Sequence, residues 1–129
     1  MLELSNDNRY LYKSLSQDLI GDCIDVHKEL GNGFLEKVYE NALTIRLNEL
    51  RIPFQQQVKY AVIYHSRYVG EFVADLVIDS KILLELKAVN RIESAHLSQL
   101  LNYLNASRLR VGYLFNFGQT KIQFQRYIR

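Results

Sequence analysis

Residues 75–89 read DLVIDSKILLELKAV, two apolar runs around a short polar turn, with Asp75, Glu85 and Lys87 set inside them. Strand interiors are depleted in Asp, Glu and Lys, and an ionised group taken out of water is costly unless it is paired or bound. Side chains alternate between the two faces of a strand. Glu85 and Lys87 therefore point one way while Leu84 and Leu86 point the other. On the preceding strand, alternation places Phe72, Ala74, Leu76 and Ile78 on one face and Asp75 on the opposite one. With a turn at Asp79-Ser80-Lys81, Asp75 falls two residues along from the residue opposite Glu85, and the three charges meet at one spot. Two carboxylates that close repel each other, which a hard divalent cation such as Mg²⁺ (or Mn²⁺), or a shared proton, relieves. The structural alternative is that Lys87 neutralises Asp75 or Glu85 as an ion pair on a partly open face.

The elements on either side give an order. A helix begins at Ser14 or Ser16 as N-cap and carries Leu19, Ile20, Cys23, Ile24, His27 and Leu30 at helical spacing, with Gly31 to end it. A second helix covers 35–51, with Tyr39, Leu43, Leu47 and Leu50 along one stripe, and stops before Pro53. Beyond Pro53 the period changes to two. VKYAVIYH and YVGEFVADLVID read as strands joined at His65-Ser66-Arg67, and the turn at Asp79 leads into a third. ESAHLSQLLNYLNAS returns to helical spacing with Leu97, Leu100, Leu101 and Leu104 as its stripe. Two strands around Gly118-Gln119-Thr120 close the chain. The pattern α, α, β, β, β, α, β, β predicts an α/β domain on a mixed sheet.

A chain of 129 residues with 48% hydrophobic content is one domain's worth, and 1–129 is read as a single domain. The lone Cys23 excludes an internal disulfide and suits a reducing cytoplasm, and no Cys/His spacing resembles a zinc site. The start of the chain shows no apolar signal core, and no stretch approaches a bilayer span, so no membrane partner is expected. Charge is unevenly spread: residues 1–93 hold 11 Lys/Arg against 14 Asp/Glu, whereas 94–129 hold 5 Lys/Arg and no acid. Arg108 and Arg110 in that basic stretch are candidates for phosphate contact, with ordinary solvated faces as the alternative. Nine tyrosines could offer stacking platforms, although Tyr60, Tyr64, Tyr68 and Tyr113 also fit plain strand alternation.

GNGFLEKVYENAL, at 31–43, contains Gly33-x-x-Glu36-x-x-Tyr39. Together with Asp75, Glu85-Leu86-Lys87 and QLLNYL at 99–104, this motif order resembles the GxxExxY family, a branch of the PD-(D/E)XK nuclease superfamily, from about residue 15 to the C-terminus. The resemblance implies a restriction-endonuclease-like mixed sheet with an α-β-β-β-α-β core, here with an extra N-terminal helix and C-terminal strand. It implies Asp75, Glu85 and the Leu86 backbone carbonyl as metal ligands, and Glu36 as a further ligand, direct or through water. Lys87 would position or activate the attacking water, and Gln99 and Tyr103 match polar positions on the helix after the sheet. Ala74 stands where the superfamily name has proline, a mainly conformational departure. The expected activity is Mg²⁺-dependent phosphodiester hydrolysis in nucleic acid, DNA ahead of RNA. The alternative is a non-cleaving nucleic-acid-binding or protein-interaction module on the same fold. Modest net charge leaves a homodimer or protein partner to complete the binding surface.

Overall fold

A computed structural model describes residues 11–129; the amino-terminal stretch read above for a targeting signal lies largely outside the described residues. The elements run α1 (Lys13–Leu30), α2 (Glu36–Glu49), β1 (Phe54–Tyr64), β2 (Arg67–Ile78), β3 (Ile82–Lys87), α3 (Ser94–Ser107), β4 (Val111–Asn116) and β5 (Gln123–Ile128). The strands form one sheet in sequence order, antiparallel except for β3 and β4, which run parallel. Parallel neighbours need a crossover, and α3 provides it. This is the expected mixed sheet and restriction-endonuclease-like element order. No helix of the described residues is long and apolar enough to cross a membrane.

Helices cover both faces. Leu19, Cys23 and Val26 of α1 and Tyr39, Leu43 and Leu47 of α2 pack on Leu76, Leu84, Leu86, Tyr113 and Phe115. Leu100 and Leu104 of α3 pack on Leu83, Val77 and Leu114 from the other side. Two members of the predicted stripes fall off them: Leu50 is the C-cap of α2 and half exposed, and Leu101 lies toward solvent. Ser14 and Ser16 sit inside α1, whose N-cap is Tyr12 in a left-handed conformation. Gly31 does end α1, at φ 73°. Both tight hairpins use consecutive residues at positive φ, His65-Ser66 and Asp79-Ser80, which matches the right-handed twist of the strands they join.

The expected face pattern of β2 is corrected. Leu76 and Ile78 pack on the α1/α2 side, whereas Phe72 and Ala74 pack on the α3 side. Alternation therefore breaks between Ala74 and Leu76, at Asp75. The cause lies partly on β1, where Gln57 has φ 53° and the β1–β2 ladder skips the Gln57/Asp75 pair. The register is also corrected. Leu76 pairs with Leu84 and Val77 with Leu83, so one further step puts Asp75 directly opposite Glu85, not two residues away.

The segment leaving β3 is held by β4. Phe117 N–H donates to the Lys87 carbonyl (2.8 Å), and buried Asn116 accepts from Val89 N (2.9 Å) while its Nδ2 donates to Val89 O (3.0 Å). Gly118 lies so close to this strap that an added Cβ would collide with the Val89 carbonyl and sit 2.5 Å from Val89 N. Gly118→Ala should therefore destabilise the protein by about 1–3 kcal/mol, the usual cost of overpacking. Gly21→Ala, on α1 with nothing near the new methyl, should stabilise it by about 0.5–1 kcal/mol. Urea unfolding of the two variants checks both signs.

Candidate active site

Past Leu76 and Leu84 the β2–β3 ladder stops, and side chains take over its hydrogen bonds. Asp75 N–H donates to Glu85 Oε2 (2.9 Å), and Leu86 N–H donates to Asp75 Oδ2 (2.8 Å). Each carboxylate thus sits where a backbone carbonyl would otherwise continue the sheet. That answers how two acids can stand in so apolar a run: one oxygen of each is satisfied by the other strand's backbone. Leu86 itself points into the α1/α2 core and contributes only its main chain here.

Glu85 is 5% exposed. Burial first, and then the Asp75 charge, push its pKa up to about 8, and the Glu36 charge adds to the rise. Asp75 is raised as well, by burial and by the charge of Glu40, against the opposing effects of the Leu86 amide, Lys87 and Gln57. Lys87 donates to Gln99 Oε1 on α3 at 3.4 Å, and its charge favours ionisation of both acids. Tyr103 stacks on Phe72 with ring centroids 4.0 Å apart; its hydroxyl pKa is raised by burial and then by the Glu85 and Asp75 charges. Asp75, Glu85, Lys87, Gln99 and Tyr103 therefore converge on the α3 side of the sheet. Glu36 stands exposed in the first turn of α2, near enough to Glu85 to perturb it.

Glu40 was missed in the sequence. It is 3% exposed and accepts from Gln56 Nε2 (2.7 Å), Gln57 Nε2 (3.0 Å) and Lys37 Nζ (3.0 Å). Gln57, held by Glu40, lies near enough to Asp75 to favour its ionised form, so Glu40 is linked to the carboxylate pair through the residue that kinks β1. The available signal was spacing, because Glu40 follows Glu36 by four residues and so shares its helix face. The remaining motif residues build the scaffold. Tyr39 is buried, donates to Gly31 O (2.6 Å), accepts from Phe34 N (3.2 Å) and stacks on Phe117. Gly33, at φ 116° with open space beside it, supplies a backbone angle. His27 is buried and donates through Nε2 to Gln119 O (2.7 Å), while His96 accepts from Glu93 N through Nδ1 at the start of α3.

Arg108 and Arg110 are not at this cluster. In the parallel register Val111 pairs with Ile82 and Asn116 with Lys87, which sets Arg110 roughly 20 Å from Lys87 along the strands at about 3.3 Å per residue. Arg110 donates to Arg129 O, and the Arg108 carbonyl accepts from Arg129.

Among the described residues no three His, Cys, Asp or Glu side chains form a ready-made metal cluster. The donors on offer are two carboxylates with a backbone carbonyl beside them, a set that fits a hard cation retaining several waters. Without such an ion the raised pKa values set the sign of a pH effect. Between the ordinary glutamate value and about pH 8 the unfolded chain has lost the Glu85 proton while the fold retains it. Stability must then fall as pH rises through that window. In a chelating buffer, Glu85→Gln should flatten the decline and raise Tm near pH 8. A wild type that instead gains stability relative to Glu85→Gln over the same range would refute the assignment of the shift to Glu85.

Comparison with known proteins agrees with this fold. The family model of the PD-(D/E)XK nuclease superfamily matches residues 13–127. The crystal structure of SSO0001 superposes with a TM-score of 0.56 at 16% identity, over 95% of this chain and 62% of that one, so the likeness concerns the fold. This chain accordingly spans less than two thirds of that protein's length. No curated protein matches. With its match running from the first helix to the last strand, the chain belongs to the PD-(D/E)XK nuclease superfamily.

Proposed function

We propose that this protein is a Mg²⁺- or Mn²⁺-dependent nuclease of the GxxExxY branch, hydrolysing phosphodiester bonds in nucleic acid, DNA in preference to RNA. The observation that carries the reading is the exchange of hydrogen bonds between β2 and β3, Asp75 N–H to the Glu85 carboxylate and Leu86 N–H to the Asp75 carboxylate, which holds a buried Glu85 beside a half-buried Asp75 whose charge opposes its ionisation. A purely structural site has no use for that repulsion. Asp75, Glu85 and the Leu86 carbonyl would hold the ion, with Glu36 directly or through a water. The ion would supply Lewis-acid stabilisation of a phosphate oxygen and a more acidic water.

The chain's own residues do the rest. Lys87, steered by Gln99, presents an ammonium to the scissile phosphate and to the attacking water. Tyr103, beside both carboxylates, offers a hydroxyl to orient water or phosphate. Glu40 and Gln57 hold Asp75 in place from the α2 side. Arg108 and Arg110 would contact phosphates remote from the cleaved bond.

Two measurements test the proposal. Millimolar Mn²⁺ should raise Tm in proportion to the logarithm of ligand excess, about 2.7 kcal/mol at a hundredfold excess over Kd, and Asp75→Asn should remove the effect. Lys87→Ala should lower kcat by about a hundredfold or more while nucleic-acid affinity stays nearly unchanged. Wild-type protein that binds labelled DNA and RNA but cleaves neither with Mn²⁺ would overturn the enzymatic reading in favour of a non-cleaving binding module.

A further inference from the structure

A groove runs between α3 and the distal half of the β1–β2 hairpin. Val62, Ile63, Phe72 and Tyr103 form its apolar floor, and Asn102 and Asn105 of α3 stand at its rim. It adjoins the site through Tyr103, which follows the Lys87 partner Gln99 by one turn of α3. In the floor the rings of Phe72 and Tyr103 stack at 4.0 Å, and Tyr60 extends the column from Phe72 at 5.2 Å. Beyond it the hairpin carries Tyr64 and Tyr68 at 64% and 62% exposure, and Tyr64 stacks on His65 at 4.1 Å.

We propose that this groove receives an unpaired nucleobase from the substrate strand, so that the site acts on single-stranded or locally unpaired nucleic acid. The proposal deepens the nuclease reading above and rests on it.

The lining chemistry selects the occupant. No charged side chain lines the groove among the described residues, so it is ill suited to a phosphate or a cation. A nucleobase has apolar faces and an edge that both donates and accepts hydrogen bonds. An apolar floor matches the faces, and carboxamides, which also donate and accept, match the edge. An aliphatic peptide side chain would leave both amides unused. Inside a duplex those faces are stacked and the pairing edges are taken, so only a splayed base can lie in such a groove. Arg108 caps the C-terminal end of α3 three residues past Asn105, where a phosphate of the same strand would need a counter-charge.

The test is equilibrium binding in a chelating buffer, where no cleavage occurs. Three fluorescein-labelled probes of equal length are compared: a single strand, the same backbone with its bases removed, and a blunt duplex. The single strand should bind about tenfold or more tighter than the abasic strand, the scale expected of base stacking. The Asn102→Ala/Asn105→Ala double variant should lose most of that difference while its affinity for the abasic strand and the duplex stays put. Both side chains are exposed, so the variant should fold, which a thermal melt confirms. Equal affinity for the normal and abasic strands, or a preference for blunt duplex, overturns the groove assignment and leaves the nuclease reading standing. No binding to any probe removes both.

Discussion

The β2–β3 pairing ends one step too soon, and the rest of the site depends on that ending. Had the ladder continued past Leu76 and Leu84, the backbones of Asp75 and Leu86 would have bonded to carbonyls and the two acids would have been pushed to solvent. Instead Asp75 N–H and Leu86 N–H each bond to the other strand's carboxylate. A backbone amide buried without an acceptor is costly, and a buried carboxylate without a donor more so; here each satisfies the other. What remains unrelieved is the burial of Glu85 and, after it, the repulsion from Asp75, which together push the Glu85 pKa up to about 8. That residual strain is electrostatic, and a cation is its natural complement.

Three supports keep the break in register. From α2, Glu40 fixes Gln56 and Gln57, and Gln57 carries the positive φ that lets β1 and β2 change faces at Asp75. From β4, Asn116 and the close approach of Gly118 strap the main chain just after Lys87. From the first turn of α2, Tyr39 ties Gly31 and Phe34 of the preceding loop together and stacks on Phe117, which ties the start of α2 to the same β4 strap. The three meet at one end of the sheet. Precision at the site therefore comes from buried polar side chains, Asn116 and Tyr39 bonded to main chain and Glu40 to the two glutamines of β1.

Element order was legible in the sequence because the hydrophobic period switches cleanly, at Pro53 and again before Ser94. So was the meeting of Asp75, Glu85 and Lys87, since charges inside apolar strands stand out. The register was within reach: a turn over Asp79-Ser80-Lys81 sets Ile78 opposite Ile82 and hence Asp75 opposite Glu85, and the expected offset of two residues does not follow from it. The change of face at Asp75 was not legible, because it coincides with a backbone angle at Gln57 that nothing local to glutamine requires. Glu40 and Asn116 were missed for a related reason: their partners are 16 and 27 residues away, and isolated Glu and Asn look like ordinary polar residues until the fold buries them. Tyr39 could be read either as core or as a site residue, and only its hydrogen bonds to the Gly31–Phe34 loop settle it as scaffold.

The most direct test of the central claim counts protons. If a divalent cation takes the place of the proton that burial and Asp75 hold on Glu85, binding at pH 7 must release it. Calorimetric titration with Mn²⁺ in two buffers of different ionisation enthalpy measures that release. The account predicts close to one proton per ion for the wild type and close to none for Glu85→Gln. Cation binding with no proton release, or with the same release from both proteins, would contradict it.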